Sequence, residues 1–426
     1  MSNAPFAPLF RKDFTIMVLG QIASLFGNSI LRFALSLYVL DLTGSAAAFG
    51  GILAVSMIPT VVLSPFGGIL ADRVNRRNIM VALDFTTAAV IAVFTLTASK
   101  GAGILPIGVT MVILSVIQSF YQPSVQASIP SLVGDNRLVQ ANGMVVQVNA
   151  LATLLGPIAA GMLYGFWGIA PILMTSGLCF FLSAVMELFL HIPFTPVKRS
   201  GSALSMVKSD FSTVFKFLVR DNPQLSKLLG VLALLNLFLS SMITVGLPYL
   251  VKIYWGLSSQ HYGFAEAALA VGSILGGCLS GLVAKRFDFR HSYKFLLIAS
   301  AALLPVGLAA LTRDMPLVSY GVTIAAIVTS LCFAALFNIF AQTFAQRQTP
   351  PHLLGKVASF ITVVCMCAFP LGQALYGILF DRLSGAVWVI ILFACVVSLL
   401  VALATGKIQR GLPAEEPAAA QTPKVG

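Results

Sequence analysis

Residues 67–77 read GGILADRVNRR, and positions 72–77 hold one acid and three arginines directly after a long apolar run. Asp72 can accept from the unpaired N–H groups of a helix N-terminus, where the helix dipole favours an anion. Arg73, Arg76 and Arg77 can pair with carboxylates or with the last carbonyls of other helices. This is the chemistry of a latch that opens and closes, and the acid ahead of the arginines separates it from charges that only touch lipid phosphate. Four more ionisable residues, Arg32, Asp84, Glu187 and Glu266, fall inside apolar runs. A charge at the bilayer centre costs about 2.5–3.5 kcal/mol on insertion scales, so each needs a partner or water. Arg32 and Glu266 each stand eight residues from the same side of the membrane, a depth of roughly 12 Å at the helical rise. The expectation is that they pair, or exchange partners, near the outer gate, and that protonating Glu266 would break the pair; a static ion pair or separate snorkelling of the two side chains is the alternative. Asp84 is expected to pair with Arg73, Arg76 or Arg77, and Glu187 to be an interfacial or structural charge.

Polar residues also form stripes: Gln21, Ser24, Asn28 and Arg32; Ser115, Gln118, Gln122 and Gln126; Asn236, Ser240 and Thr244; Asn338, Gln342 and Gln346. Steps of three, four and seven place each set on one helix face. Single hydrogen bonds between helices, worth about 0.6 kcal/mol each, would explain any one of them. Four stripes favour a water-filled path, to which Asn149 and Gln373 are added. Gly156, Gly161 and Gly165 in one run, and Gly272, Gly276 and Gly281 in another, allow close helix crossings. Pro157 and Pro370 remove backbone bonds and are read, with Gly156 and Gly161, as hinges.

Other chemistries are disfavoured. Six cysteines and four histidines show no metal-ligand spacing, so no metal and no cofactor are expected. No catalytic cluster and no phosphate-binding G-x-x-x-x-G-K-[ST] loop occurs, which argues against an enzyme and an ATP-driven pump.

The elements that must carry these residues are membrane helices. The chain of 426 residues is 58% hydrophobic and 9% charged, with mean hydropathy +0.95. That charge cannot coat a soluble protein of this size, so lipid is the solvent for most of its surface. Twelve spans of sufficient length are expected near 14–40, 46–70, 78–98, 104–128, 142–166, 170–192, 224–252, 258–284, 292–312, 317–345, 356–380 and 386–406. The first is too long for a cleavable signal peptide. The net charge of +12 does not imply nucleic acid, because the basic residues cluster between spans. Of the lysines and arginines, 21 fall on the side of the termini, 4 on the other, and Arg32 lies within a span. The positive-inside rule therefore places both termini in the cytoplasm, and the cell membrane is the expected location.

The connection 193–223 is the longest, and its apolar residues Val207, Phe211, Val214, Phe215 and Leu218 have the spacing of an amphipathic helix on the membrane face. It joins an N-terminal bundle, 1–192, to a C-terminal bundle, 224–410; a tail, 411–426, is expected to be disordered. The two bundles look like repeats. Gly68, Arg73, Arg77 and Pro157 have counterparts in Gly281, Arg286, Arg290 and Pro370, all at one common offset of half the chain. The fold class is all-α and integral to the membrane: twelve transmembrane helices in two pseudo-symmetric six-helix bundles in parallel orientation, an architecture common among secondary transporters.

The loop G-x-x-x-D-R-x-x-R-R resembles the signature of the major facilitator superfamily, with Asn75 where that pattern usually has glycine. FYQPSVQASIPSLV (120–133), GPIAAG (156–161) and GKVASF with FPLGQALYGILFD (355–381) look like the branch of macrolide-efflux proteins and an enterobactin exporter. The resemblance covers essentially the whole chain. It implies alternating access by two rocking bundles, with the residue matching Asp72 capping a helix of the opposite half and Arg73 joining the same latch. Lys285 stands where the second half would carry the acid, so that latch, with Arg286 and Arg290, should be weaker or differently paired. GPIAAG resembles the antiporter motif of exporters, although an upstream glycine-rich repeat and the usual fourth-span arginine are missing. The expected partners are membrane lipid, protons and an amphiphilic small molecule such as a drug or macrolide, with a siderophore or lipid-like metabolite as the alternative. The protein is expected to act as a monomer.

Overall fold

In the computed structural model, residues 11–98, 103–133, 137–193, 211–283, 287, 289–351 and 353–410 are described. They contain twelve helices long and apolar enough to cross a membrane. These are α1 (Lys12–Thr43), α2 (Ala46–Arg73), α3 (Arg76–Thr97), α4 (Ile104–Leu132), α5 (Leu138–Trp167) and α6 (Ile169–Glu187), then α7 (Pro223–Tyr254), α8 (Ser259–Val283), α9 (Phe289–Ala309), α10 (Pro316–Gln348), α11 (Leu354–Arg382) and α12 (Val387–Arg410). Both ends of the described chain lie on one side, here the terminal face; the other is the far face. Every expected span is present. The boundaries differ where capping decides them: α1 runs on to Thr43 and stops at Gly44, which takes the left-handed conformation (φ 62°), and α6 ends at Glu187, short of the expected 192.

Helices α1–α6 pack mainly on one another, as do α7–α12, and the halves join at two crossings, α2 with α11 and α5 with α8. Both are backbone contacts made possible by glycine. A Cβ at Gly50 would strike the Gln373 carbonyl, and one at Gly263 would strike the Pro157 carbonyl. Gly50 and Gly263 are themselves half the chain apart, so the spacing of the sequence repeat reappears as the symmetry of the interface. Gly161 meets Gly263, and Gly377 meets Ala46 and Ala47, from the partner helices. Gly156 packs against Ser29 of α1. Helices α5 and α11 continue through Pro157 and Pro370.

Helix α7 contains π turns at Asn236–Ser240 and Tyr249–Tyr254. Residues 211–221 before it are helical. Their apolar face does more than rest on lipid: Val214 and Leu218 are buried, and the Phe211 ring lies 5.2 Å from that of Phe360 on α11. Val207, Lys285, Arg286 and the 411–426 tail lie outside the described residues.

Candidate transport path and its closures

The far face is shut. Asp381, at the end of α11, accepts from the backbone N–H of Ala46 at 2.7 Å and Ala47 at 3.2 Å, and from the Ser45 hydroxyl. The Ser45 Oγ in turn caps the Ala48 N–H. A carboxylate of the second half thus neutralises the positive end of α2 in the first. Beside it, Lys252 Nζ of α7 pairs with Asp41 of α1 at 3.2 Å and donates to Ser259 of α8 at 2.9 Å. Deeper along these helices Phe33 stacks on Tyr262 across the halves, ring centroids 4.7 Å apart.

Toward the terminal face the halves part. A cavity of about 510 Å³ is walled by α2, α7, α10 and α11; Asn236, Asn338, Gln342 and Gln346 line it with Met57 and Phe369. A second, of about 750 Å³, separates Pro65 and Ile69 of α2 from Gly355 and Lys356 of α11, with Gln126 of α4 on its wall. The side chains around the first cavity include amides, the hydroxyls of Thr349 and Thr362, the Cys365 thiol and apolar groups, and none is charged.

The other expected path residues lie elsewhere. Arg32 does not meet Glu266: its Nε donates to Asn28 at 3.1 Å and its guanidinium to Ser115 at 3.1 Å, which ties α1 to α4. Glu266 instead accepts from Tyr262, one turn away on α8, at 2.8 Å. Each of the two charges is held by other partners, Arg32 by α1 and α4 and Glu266 by its own helix. Gln118 and Gln122 are half-buried on α4, and Asn149 donates to the Val145 carbonyl of its own helix. Gln373 is buried at the α2–α11 crossing.

In the signature loop the arginines take the second of the two expected kinds of partner, the last carbonyls of other helices. Arg76 donates to the Ala71 carbonyl at 3.1 Å, the Ala127 carbonyl at 2.7 Å and Ser131 Oγ at 3.0 Å. Arg77 donates to the carbonyls of Glu187 and Leu188. Both therefore serve the negative ends of α4 and α6, within their own half. Asp84 does not reach these arginines; it accepts from Ser24 at 3.2 Å. Glu187 is not interfacial: it is fully buried and accepts from Tyr121 at 2.8 Å. Gly67 packs against the Ser119 carbonyl of α4, whereas Gly68 has open space around it.

Asp84 and Glu187 belong to a polar cluster inside the first half, with Ser24, Tyr121 and Ser183. Gln21, also fully buried, stands on α1 one turn before Ser24. One oxygen of each carboxylate and both amide atoms of Gln21 have no hydrogen-bond partner among the described residues. Two buried carboxylates among hydroxyls, with no described cationic side chain bonded to them, make an arrangement suited to holding a proton. Among the described residues no group of three or more metal-ligating side chains occurs, and the six cysteines are free.

Residues 17–372 match the family model of the Major Facilitator Superfamily. The chain belongs to the Major Facilitator Superfamily. It is a multi-pass membrane transporter. Macrolide efflux protein A of Streptococcus pyogenes is 26% identical over 88% of this chain and 91% of its own length. The enterobactin exporter EntS of Escherichia coli O127:H6 is 27% identical over 73% of this chain and 71% of its own. Among solved structures, a bacterial homologue of the iron transporter ferroportin in an inward-facing state superposes with TM-score 0.72 at 19% identity, covering 93% of this chain and all of that one. A bacterial homologue of the human lysosomal transporter spinster, inward-facing and unoccupied, superposes with TM-score 0.73 at 13% identity, covering 95% and 98%. These likenesses are likenesses of fold.

Sequence reasoning passed over Asp381 and the Asp41–Lys252 pair. A signal for Asp381 was present: residues 377–382 read GILFDR and residues 68–73 read GILADR.

Proposed function

We propose that this transporter is a proton-coupled exporter of uncharged or weakly cationic amphiphilic molecules of the drug or macrolide kind, working by alternating access in the cell membrane with both termini in the cytoplasm. The carrying observation is the cavity of about 510 Å³ between the halves, walled by amides and aliphatic groups without a charged side chain. Such a lining matches a large, mostly apolar solute with a few polar groups and disfavours sugar phosphates. The likeness to a macrolide efflux protein points the same way. The likeness to an enterobactin exporter supports a second reading, a siderophore exporter of the same fold.

Coupling is assigned to buried acids off the solute path: the Asp84–Glu187 cluster in the first half and Glu266 with Tyr262 in the second. Protonation of either changes the charge inside a bundle, and so the relative stability of its two tilts. The test is efflux of a macrolide and of a catecholate siderophore from proteoliposomes, with and without an imposed pH gradient. Acceleration by the gradient is expected for the wild-type protein. Asp84→Asn or Glu266→Gln should remove it while sparing downhill exchange. No acceleration of the wild-type protein by the gradient would overturn proton coupling, full gradient-driven transport by the double variant would overturn its assignment to these acids, and failure to move either compound would overturn the solute class.

A further inference from the structure

The two hexapeptides GILADR (68–73) and GILFDR (377–382) differ at one position, and each closes its helix, α2 at Arg73 and α11 at Arg382. These two helices run antiparallel across the interface between halves. The end of one, with its hexapeptide, therefore lies on the same face as the start of the other. At the far face this juxtaposition is closed, with Asp381 on the first N–H groups of α2 and Gly377 against Ala46. At the terminal face it is apart, with the cavity of about 750 Å³ between Ile69 and Gly355. The α5–α8 crossing has the same glycine approach but not the acids: at the repeat offset, Lys285 is the counterpart of Asp72, and Gly168 is the counterpart of Asp381.

We infer that α2 and α11 form a rocker with a matched clasp at each end, and that Asp381 is the positioning residue that holds the far-face-closed state. When the far face opens, Asp381 leaves the start of α2, and Asp72 takes the equivalent place at the start of α11. The halves are then balanced between two clasps of like chemistry, one engaged in each state. The α5–α8 crossing, with no acid at either clasp position, serves as the fulcrum. This rests on the alternating-access reading and on the capping role that the family resemblance implies for Asp72, and adds to them the residue that makes the far-face closure.

The experiment is a distance measurement on the full chain in nanodiscs, without solute. Spin labels go at Leu42 and Met315 for the far face and at Val139 and Gln348 for the terminal face, after replacement of the exposed Cys278 and Cys367. Asp381→Asn should move the population toward far-face-open by about tenfold, the size of a lost helix cap. Asp72→Asn should move it the opposite way by a similar factor, and the double variant should return close to the wild-type ratio. Should Asp381→Asn fail to fold, Ser45→Ala, which removes one of the three donors to Asp381, should give a smaller shift in the same direction. No shift on replacing Asp381 or Ser45, or a shift of the same sign for Asp72 and Asp381, would overturn the clasp and leave alternating access standing. A single unchanging distance in the wild-type protein, at every pH and with solute, would overturn alternating access itself.

Discussion

The two ends of the α2–α11 crossing carry nearly the same six residues and do different things. At the far end, Gly377 lies on the backbone of the opposite half and Asp381 bonds to it. At the terminal end, Gly68 faces open space, and the arginines that follow it hold α4 and α6 of their own half. Local sequence does not decide this difference, since the sequences match. What decides it is which side of the bundle pair is closed. A glycine that looks idle at one end is, on this comparison, the packing contact of the other state. The fixed parts are those that carry no such duplication, the α5–α8 approach at Gly161 and Gly263 among them.

The strongest way to break the comparison is to fill the two glycines. A Cβ at Gly377 would lie 2.7 Å from the Ala46 carbonyl oxygen and 3.0 Å from the Ala47 Cα, both backbone atoms that cannot step aside. Overpacking of this kind costs about 1–3 kcal/mol, a shift of roughly fivefold to 150-fold. Gly377→Leu should therefore drive the protein out of the far-face-closed state, seen as greater labelling of a cysteine placed at Leu42. Gly68→Leu should leave this state untouched and block the other, so that labelling at Leu42 falls. Equal and same-signed effects would mean that the two hexapeptides are not alternates.

A smaller effect is expected at the neighbouring ion pair. Lys252 and Asp41 are partly exposed, and pairs of that kind contribute about 0.2–1 kcal/mol. Asp41→Asn should shift the same labelling by at most about fivefold, and high salt should reproduce part of the shift. An effect larger than that of Asp381→Asn would move the far-face closure from the clasp to the ion pair.

Much of this molecule was legible in its sequence. Apolar length and charge clustering give the twelve helices, and the half-chain offset of the repeat gives the halves, because both depend only on distance along the chain. Azimuth was not legible. Arg32 and Glu266 were matched by depth, yet Arg32 points at Ser115 and Glu266 at Tyr262. Asp84 was matched to the nearest arginines in sequence, but Arg76 and Arg77 are already engaged by helix-terminal carbonyls. The twin hexapeptide escaped notice for a different reason. It lies well beyond the repeat offset from the first, because it relates partner helices across the interface and not equivalent helices of the two halves.

The smallest expected shift of state sharpens the comparison most. Arg76 makes three bonds, to Ala71, Ala127 and Ser131, all within the first half. A half that moves as a body keeps those bonds in both states, so they should stabilise the fold without favouring either tilt. Arg76→Gln should then lower the thermal stability of the detergent-purified protein by an amount on the order of 1 kcal/mol, as expected for a cation lost from helix C-termini. The far-face and terminal-face label distances should keep their relative populations within about twofold, since a term common to both states cancels from their ratio. A tenfold shift toward the terminal-face-open state would show instead that Arg76 changes partners and joins Asp72 across the halves, so that the loop as a whole, and not its acid alone, is the counterpart of Asp381.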